Sequence, residues 1–143
     1  MIYIARVPTK RIMTVTISVG TRFPAYATSM GRVLLAGQTD DWLDGYLATA
    51  ELRPLTKQTT SDRAELRAEL ARIRADGWSL VDQELEEGLR SIAAPLHDAK
   101  GKVVAALNIS THASRSPLEH VRSTLLPRLL ETAAAIGREL PAS

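Results

Sequence analysis

The chain contains no cysteine. Disulfides and thiolate metal sites are therefore excluded, and a reducing compartment is the natural setting. No apolar run approaches the length of a bilayer crossing, and Met1-Ile2-Tyr3 leads straight into patterned sequence without a secretory segment. A cytoplasmic protein with no membrane partner is the expectation. Charge of one sign is also scarce: 18 basic residues against 16 acidic ones leave a formal net charge of +2. That is too weak and too dispersed for nucleic-acid binding, which needs a concentrated basic stripe. There is no Gly-x-Ser-x-Gly elbow, no phosphate-binding glycine loop and no dinucleotide fingerprint. The three histidines, His97, His112 and His120, fall in no metal-ligand spacing. Surface histidines are the plain reading, and no catalytic residue, metal or cofactor is expected.

What is present suits one domain over residues 1–143. The length is in the usual domain range, and 45% hydrophobic residues can fill a single core. Ile2 to Val7 is β-branched and aromatic. Ile12 to Val19 alternates Thr14, Thr16 and Ser18 with apolar residues, so the two segments predict a hairpin. A loop with Pro24 leads to a short helix from Thr28 or Ser29 to Ala36, with Gly37 as its stop. Asp40 to Ala50 predicts a second helix. Ser61-Asp62 caps a third, in which Leu66, Leu70 and Ile73 are spaced by four and three and Gly77 follows the last turn. Trp78 to Val81 predicts a strand. Leu89 to His97, the turn Asp98-Ala99-Lys100-Gly101 and Lys102 to Ser110 predict a hairpin. Ser116-Pro117-Leu118-Glu119 has the form of a capping box opening the last helix, and Pro127 should kink or break it. Hairpins at both ends, without alternating strand–helix units, predict an α+β fold with helices packed on an antiparallel sheet.

Two places have the make-up of a binding site. Small residues around Ala27-Thr28-Ser29-Met30-Gly31 lead into a helix start, where unpaired N–H groups attract an anion and glycine permits close approach. An ordinary capped helix, with Gly31 packed against the sheet, explains the same residues, and periodicity alone favours it. In the second predicted hairpin one face is bulky and apolar. The other holds Ser91, Ala93 and Pro95 on the first strand and Val104, Ala106, Asn108 and Ser110 on the second. Small side chains leave room and the polar ones can orient a ligand; a solvent-facing strand fits this pattern equally well. The acidic stretch from Asp82 to Glu87 is a solvated loop by default. Arg6, Arg22, Arg32 and Arg90 lie beside these elements, and any could pair bidentately with a carboxylate.

Taken together, these stretches resemble the effector-binding domain of IclR-type transcription regulators over nearly the whole chain. Ile2-Tyr3-Ile4-Ala5-Arg6 resembles the family's opening strand. Val19-Gly20 through Ala27-Thr28-Ser29-Met30-Gly31-Arg32-Val33-Leu34-Leu35-Ala36 is similar to its most specific block. Gly77-Trp78, Asp82, Glu84 and Gly88 to Leu96 form a second block, and Ala105 to Ser110 a third. The wording is most similar to the branch that controls protocatechuate, 4-hydroxybenzoate and β-ketoadipate catabolism. The resemblance implies a GAF- or profilin-like fold, with a curved antiparallel sheet flanked by helices and a pocket on one face. It implies backbone amides of Ser29, Met30 and Gly31 meeting a ligand carboxylate, with Asp82, Glu84, Ser91, Asn108 and Ser110 around the pocket; Ala93 joins them from the small face of the hairpin. The chain departs from the commoner family pattern at Ser91, Asn108 and Thr111-His112, which bears on the ligand's identity.

The implied function is control of catabolic genes by an aromatic acid or a β-ketoadipate-like carboxylate. A homo-oligomer, dimer or tetramer, is implied, with DNA bound only through a winged helix-turn-helix domain that this chain lacks. Two rival readings stand beside it. One is a small enzyme acting on an aromatic acid, with Asp82 or Glu84 as general base. The other is a ligand-free GAF-like oligomerisation module. Within the favoured reading, Gly31→Val should crowd the ligand with little loss of fold.

Overall fold

The computed structural model describes residues 1–7 and 17–143. Three helices come first: α1 (Ser29–Ala36), α2 (Asp40–Thr49) and α3 (Arg63–Asp76). A single 3-10 turn, Ala25–Ala27, precedes α1. Strands β1 (Ser79–Asp82), β2 (Leu89–His97) and β3 (Val103–His112) form an antiparallel sheet in the order β1-β2-β3. The chain closes with α4 (Leu118–His120), a π turn over Val121–Leu125 and α5 (Leu126–Glu139).

Local chemistry explains most of these boundaries. Thr28, Thr39 and Asp62 are extended residues whose side chains accept from the N–H three residues on, at Gly31, Trp42 and Glu65, each covering a donor the helix start cannot satisfy. Gly77 ends α3 in the left-handed region, at φ 79°, where a side chain would be strained. The turn between β2 and β3 is closed by Asp98, which takes the N–H groups of Lys100 and Lys102 on its carboxylate. The expected capping box at Ser116 does not form. Pro117 is the N-cap, without any side-chain bond, and the Ser116 carbonyl is instead taken by Arg90. Pro127 does disturb the helix, as its chemistry requires. It cannot donate to the carbonyl four residues earlier and its ring crowds that carbonyl, and the widened π turn sits immediately before it.

The sheet has two differently filled faces. Ile92, Ala94 and Leu96 project from β2 onto the π turn and α5, where they meet Val121, Leu129 and Ala133, with Ala105, Leu107 and Ile109 of β3 alongside. The opposite face carries Ala93 and Ala106 beneath α1, α2 and α3, whose Val33, Leu43, Leu66, Leu70 and Ile73 build the larger core. The chain thus forms helix, sheet and helix layers, with bulky residues on one sheet face and small ones on the other. That division matches the alternation along Leu89–Leu96 and Val103–Ser110.

The first predicted hairpin is different. Residues 8–16 lie outside the described residues, and with them most of its second strand. Around them, the amino terminus pairs with the segment just before α1. Ile2 bridges Arg22, Tyr3 N–H donates to the Thr21 carbonyl, Gly20 N–H to the Tyr3 carbonyl and Phe23 N–H to the Met1 carbonyl. Part of the segment read as a loop therefore serves as a partner for the opening residues.

Candidate functional site

The register of the sheet creates the site. Val81 lies opposite Ser91, and Ser91 opposite Ser110; one row along, Ser79 lies opposite Ala93, and Ala93 opposite Asn108. Four of the expected residues, Ser91, Ala93, Asn108 and Ser110, therefore sit side by side on the small-residue face. α1 starts over that face. The hydroxyl of Ser29, in its first turn, meets that of Ser91 at 2.9 Å in a buried contact. On β3 the Asn108 amide donates to the Ser110 hydroxyl at 3.0 Å.

Between the helix start and the strands lies a cavity. Thr28, Ser29 and Met30 line it from the helix side, and Val81, Ser91, Asn108 and Ser110 from the sheet. Leu85 contributes from the loop between β1 and β2, Leu89 from the start of β2, and Met1, Tyr3, Ile17 and Phe23 from the amino-terminal segment. Its volume is about 20 Å³. That holds about one water, whereas a benzene ring occupies a cavity on the order of 150 Å³. Any aromatic guest must therefore displace side chains.

The polar character of the cavity has two sources. At the start of α1 the N–H groups of Ser29 and Met30 have no acceptor within the helix, and the positive end of the helix dipole lies there. The third expected amide is already used: Gly31 N–H donates to the Thr28 hydroxyl at 3.2 Å. The second source is the Tyr3 phenol and the Asn108 amide, which both line the cavity. Burial raises the phenol's pKa, while the neighbouring Asn108 amide and the Arg6 charge pull it back. The Tyr3 ring also meets Phe23 edge-on at 5.9 Å.

Of the expected residues, Ser29, Met30, Ser91, Asn108 and Ser110 line this one cavity. Ala93 is fully buried in the core beside them rather than in the lining. Gly31 is not in the lining either. A β-carbon there would stand 2.3 Å from the Ala25 carbonyl oxygen and 2.4 Å from its α-carbon. The glycine is thus required by the 3-10 turn packed against it. The expectation that a larger residue at 31 would crowd a ligand and spare the fold gives way to a backbone clash.

Asp82 and Glu84 are engaged elsewhere. Glu84 is clamped by Arg32 through bonds of 2.6 and 2.9 Å, and it also accepts the Thr60 N–H at 2.8 Å. Asp82 accepts from Arg90 at 2.9 and 3.2 Å. Both carboxylates are held in ion pairs outside the cavity, so the reading of either as general base over a bound acid loses its geometry. Each pair ties β1 or the loop after it to another element, Glu84 to α1 through Arg32 and Asp82 to β2 through Arg90. Among the described residues, no group of three or more histidines, aspartates or glutamates could hold a metal ion. No helix of the described residues is long and apolar enough to cross a membrane.

Reading the sequence alone missed the apolar half of the site. Leu85 and Leu89 are leucines in and just after an acidic run, a pattern that a fully solvated loop does not explain. Tyr3 and Phe23 gave no local signal, because they reach the cavity only through the pairing of 1–3 with 20–23.

The chain matches the family model described as bacterial transcriptional regulator IclR C-terminal over residues 1–138. It is 48% identical over 141 residues to the Pca regulon regulatory protein of Pseudomonas putida, covering 98% of this chain and 48% of that protein. A crystal structure of a Rhodococcus sp. RHA1 protein assigned to transcriptional regulation aligns with TM-score 0.92 and 56% identity, over 96% of this chain and 55% of that one. The inducer-binding domain of a PobR double mutant from Acinetobacter, solved in complex with 3-hydroxybenzoic acid, aligns with TM-score 0.84 and 29% identity, over 90% of this chain and 74% of that one. This chain spans about half the length of the curated relatives it matches. Those relatives are transcriptional regulators, not enzymes.

Proposed function

Because the chain belongs to the IclR family of bacterial transcriptional regulators, as their C-terminal effector-binding domain, we propose that it senses an aromatic acid or a β-ketoadipate-like carboxylate and controls catabolic genes. One observation carries the reading: the first turn of α1, where a helix leaves N–H groups without acceptors of its own, and the polar pair Asn108–Ser110 border the same small cavity, whose remaining walls are mostly apolar. A carboxylate leaving water needs several replacement donors, and a helix start supplies them in a fixed geometry. The apolar walls suit the carbon skeleton, and Asn108, Ser110 and Tyr3 suit polar groups elsewhere on the ligand. The relatives support the choice of ligand, since one governs a Pca regulon and another is an inducer-binding domain solved with 3-hydroxybenzoic acid.

The same reading assigns DNA contact to a winged helix-turn-helix domain outside these residues, and self-association into a dimer or tetramer to this one. A ligand acts on such an assembly only by favouring one conformation over another.

The test is a thermal-shift and calorimetric screen of residues 1–143 with 3-hydroxybenzoate, 4-hydroxybenzoate, protocatechuate and β-ketoadipate. A ligand that binds only the native state raises its melting temperature. Asn108→Leu should then weaken binding by about 1–3 kcal/mol, the cost of leaving a buried polar group unpartnered. Failure of all four acids to bind, or unchanged affinity in folded Asn108→Leu, would overturn this assignment of the site.

A further inference from the structure

The four arginines flanking the site have different occupations. Arg32 is 1% exposed and spent on Glu84 and the Tyr26 carbonyl. Arg90 is spent on Asp82 and the Ser116 carbonyl. Arg22 is exposed, opposite Ile2 in the amino-terminal bridge. Arg6 alone touches the cavity's walls without a carboxylate of its own. Its guanidinium donates to the Ile17 carbonyl, and its charge acts on the Tyr3 phenol. Ile17 and Tyr3 both line the cavity. Among the described residues no carboxylate lies within ion-pair distance of Arg6.

We infer that Arg6 is a specificity-determining residue, which pairs with a second anionic group of the ligand and so selects dicarboxylates over monocarboxylates. The inference rests on the carboxylate reading above and narrows it. A guanidinium carries five N–H donors in a planar fork, and one carbonyl leaves most of them for a bidentate carboxylate. The start of α1 offers donors to one anion. It is a separate structure from the Arg6 fork, so the cavity is bordered by two independent places for negative charge. No cationic side chain is among the cavity's described lining, and Arg6 reaches that lining through its bond to the Ile17 carbonyl. Burying that carboxylate without a cation would be costly. Arg6 is itself exposed, so solvent screens the pair and its contribution is selectivity rather than most of the affinity.

Matched acids isolate the effect. Adipate and hexanoate differ by one carboxylate, as do isophthalate and benzoate. In calorimetric titrations of the unmodified chain, at least one diacid should bind about three- to fivefold tighter than its monoacid partner, the upper scale of an exposed ion pair. Arg6→Gln should reduce that preference to within about twofold and leave the monoacid's affinity unchanged, and Arg22→Gln should keep the full preference. Arg6→Lys should fall between, since it keeps the charge and loses the fork. Raised salt should erode the preference in the unmodified chain. Monoacids binding as tightly as diacids, or a diacid preference that survives Arg6→Gln, would overturn the role of Arg6 and leave the carboxylate reading standing. Binding of none of the four acids would overturn both.

Discussion

Single residues here do work that their type alone does not reveal. Gly31 and Gly45 are both helical glycines, yet their surroundings are opposite. A β-carbon at Gly31 would strike the backbone of Ala25, whereas at Gly45 it would meet nothing within 4 Å. Gly31→Ala should therefore destabilise the domain by about 1–3 kcal/mol. Gly45→Ala should stabilise it by roughly 0.5–1 kcal/mol, because alanine loses less backbone freedom in a helix. Urea denaturation of the two variants should show midpoints moving in opposite directions; equal shifts would contradict the packing at Ala25. Glu84 makes the next case. It is 9% exposed and faces the buried Arg32, so Glu84→Ala leaves an uncompensated guanidinium inside the protein. A loss of about 3–5 kcal/mol is expected, with unfolding by urea as the measure. A loss under about 1 kcal/mol would mean that water reaches the pair.

At the scale of elements, the site was legible where neighbouring residues in sequence make it and illegible where distant ones do. The start of α1 and the small face of β2 and β3 follow from capping chemistry and strict alternation, but both patterns fit an ordinary cap and a solvent-facing strand as well. That Ser29, Met30, Ser91, Asn108 and Ser110 line one cavity follows from α1 packing on the sheet. The occupations of Asp82 and Glu84 depend on partners 8 and 52 positions away, which no local pattern encodes. Nor could composition foresee that the capping box at Ser116 would lose to Pro117. The β2–β3 turn adds a long-range surprise of the same kind. Asp98 takes the hydroxyl and N–H of Ser143, then the N–H groups of Lys102 and Lys100, and these bonds hold its carboxyl well below the usual range. A group whose folded pKa is depressed adds stability above its unfolded value, near 4, and that stability fades as pH falls through the folded one. The urea midpoint should accordingly drop on acidification from about pH 5 to about pH 2.5. Asp98→Asn should flatten part of this drop. An acid limb unchanged in Asp98→Asn would mean that other carboxylates dominate it.

For the whole molecule, self-association is the expected behaviour, with a dimer or larger species in sedimentation at micromolar concentration; a monomer throughout that range would contradict it. With a net charge of +2 and no recognition helix assigned, residues 1–143 alone should not retain an operator fragment in a mobility-shift assay at physiological salt. The cavity has a further consequence, one of timing. Walls that enclose about 20 Å³ are too close for an aromatic ring, so on the proposed reading uptake passes through a form in which side chains of those walls have moved. If that form is rare before the ligand arrives, the measured affinity is the intrinsic one reduced by its population. In stopped-flow mixing the observed rate should then cease to rise with ligand concentration, levelling at the rate of opening. On the sensing reading, a domain that must open before it binds follows its ligand no faster than it opens.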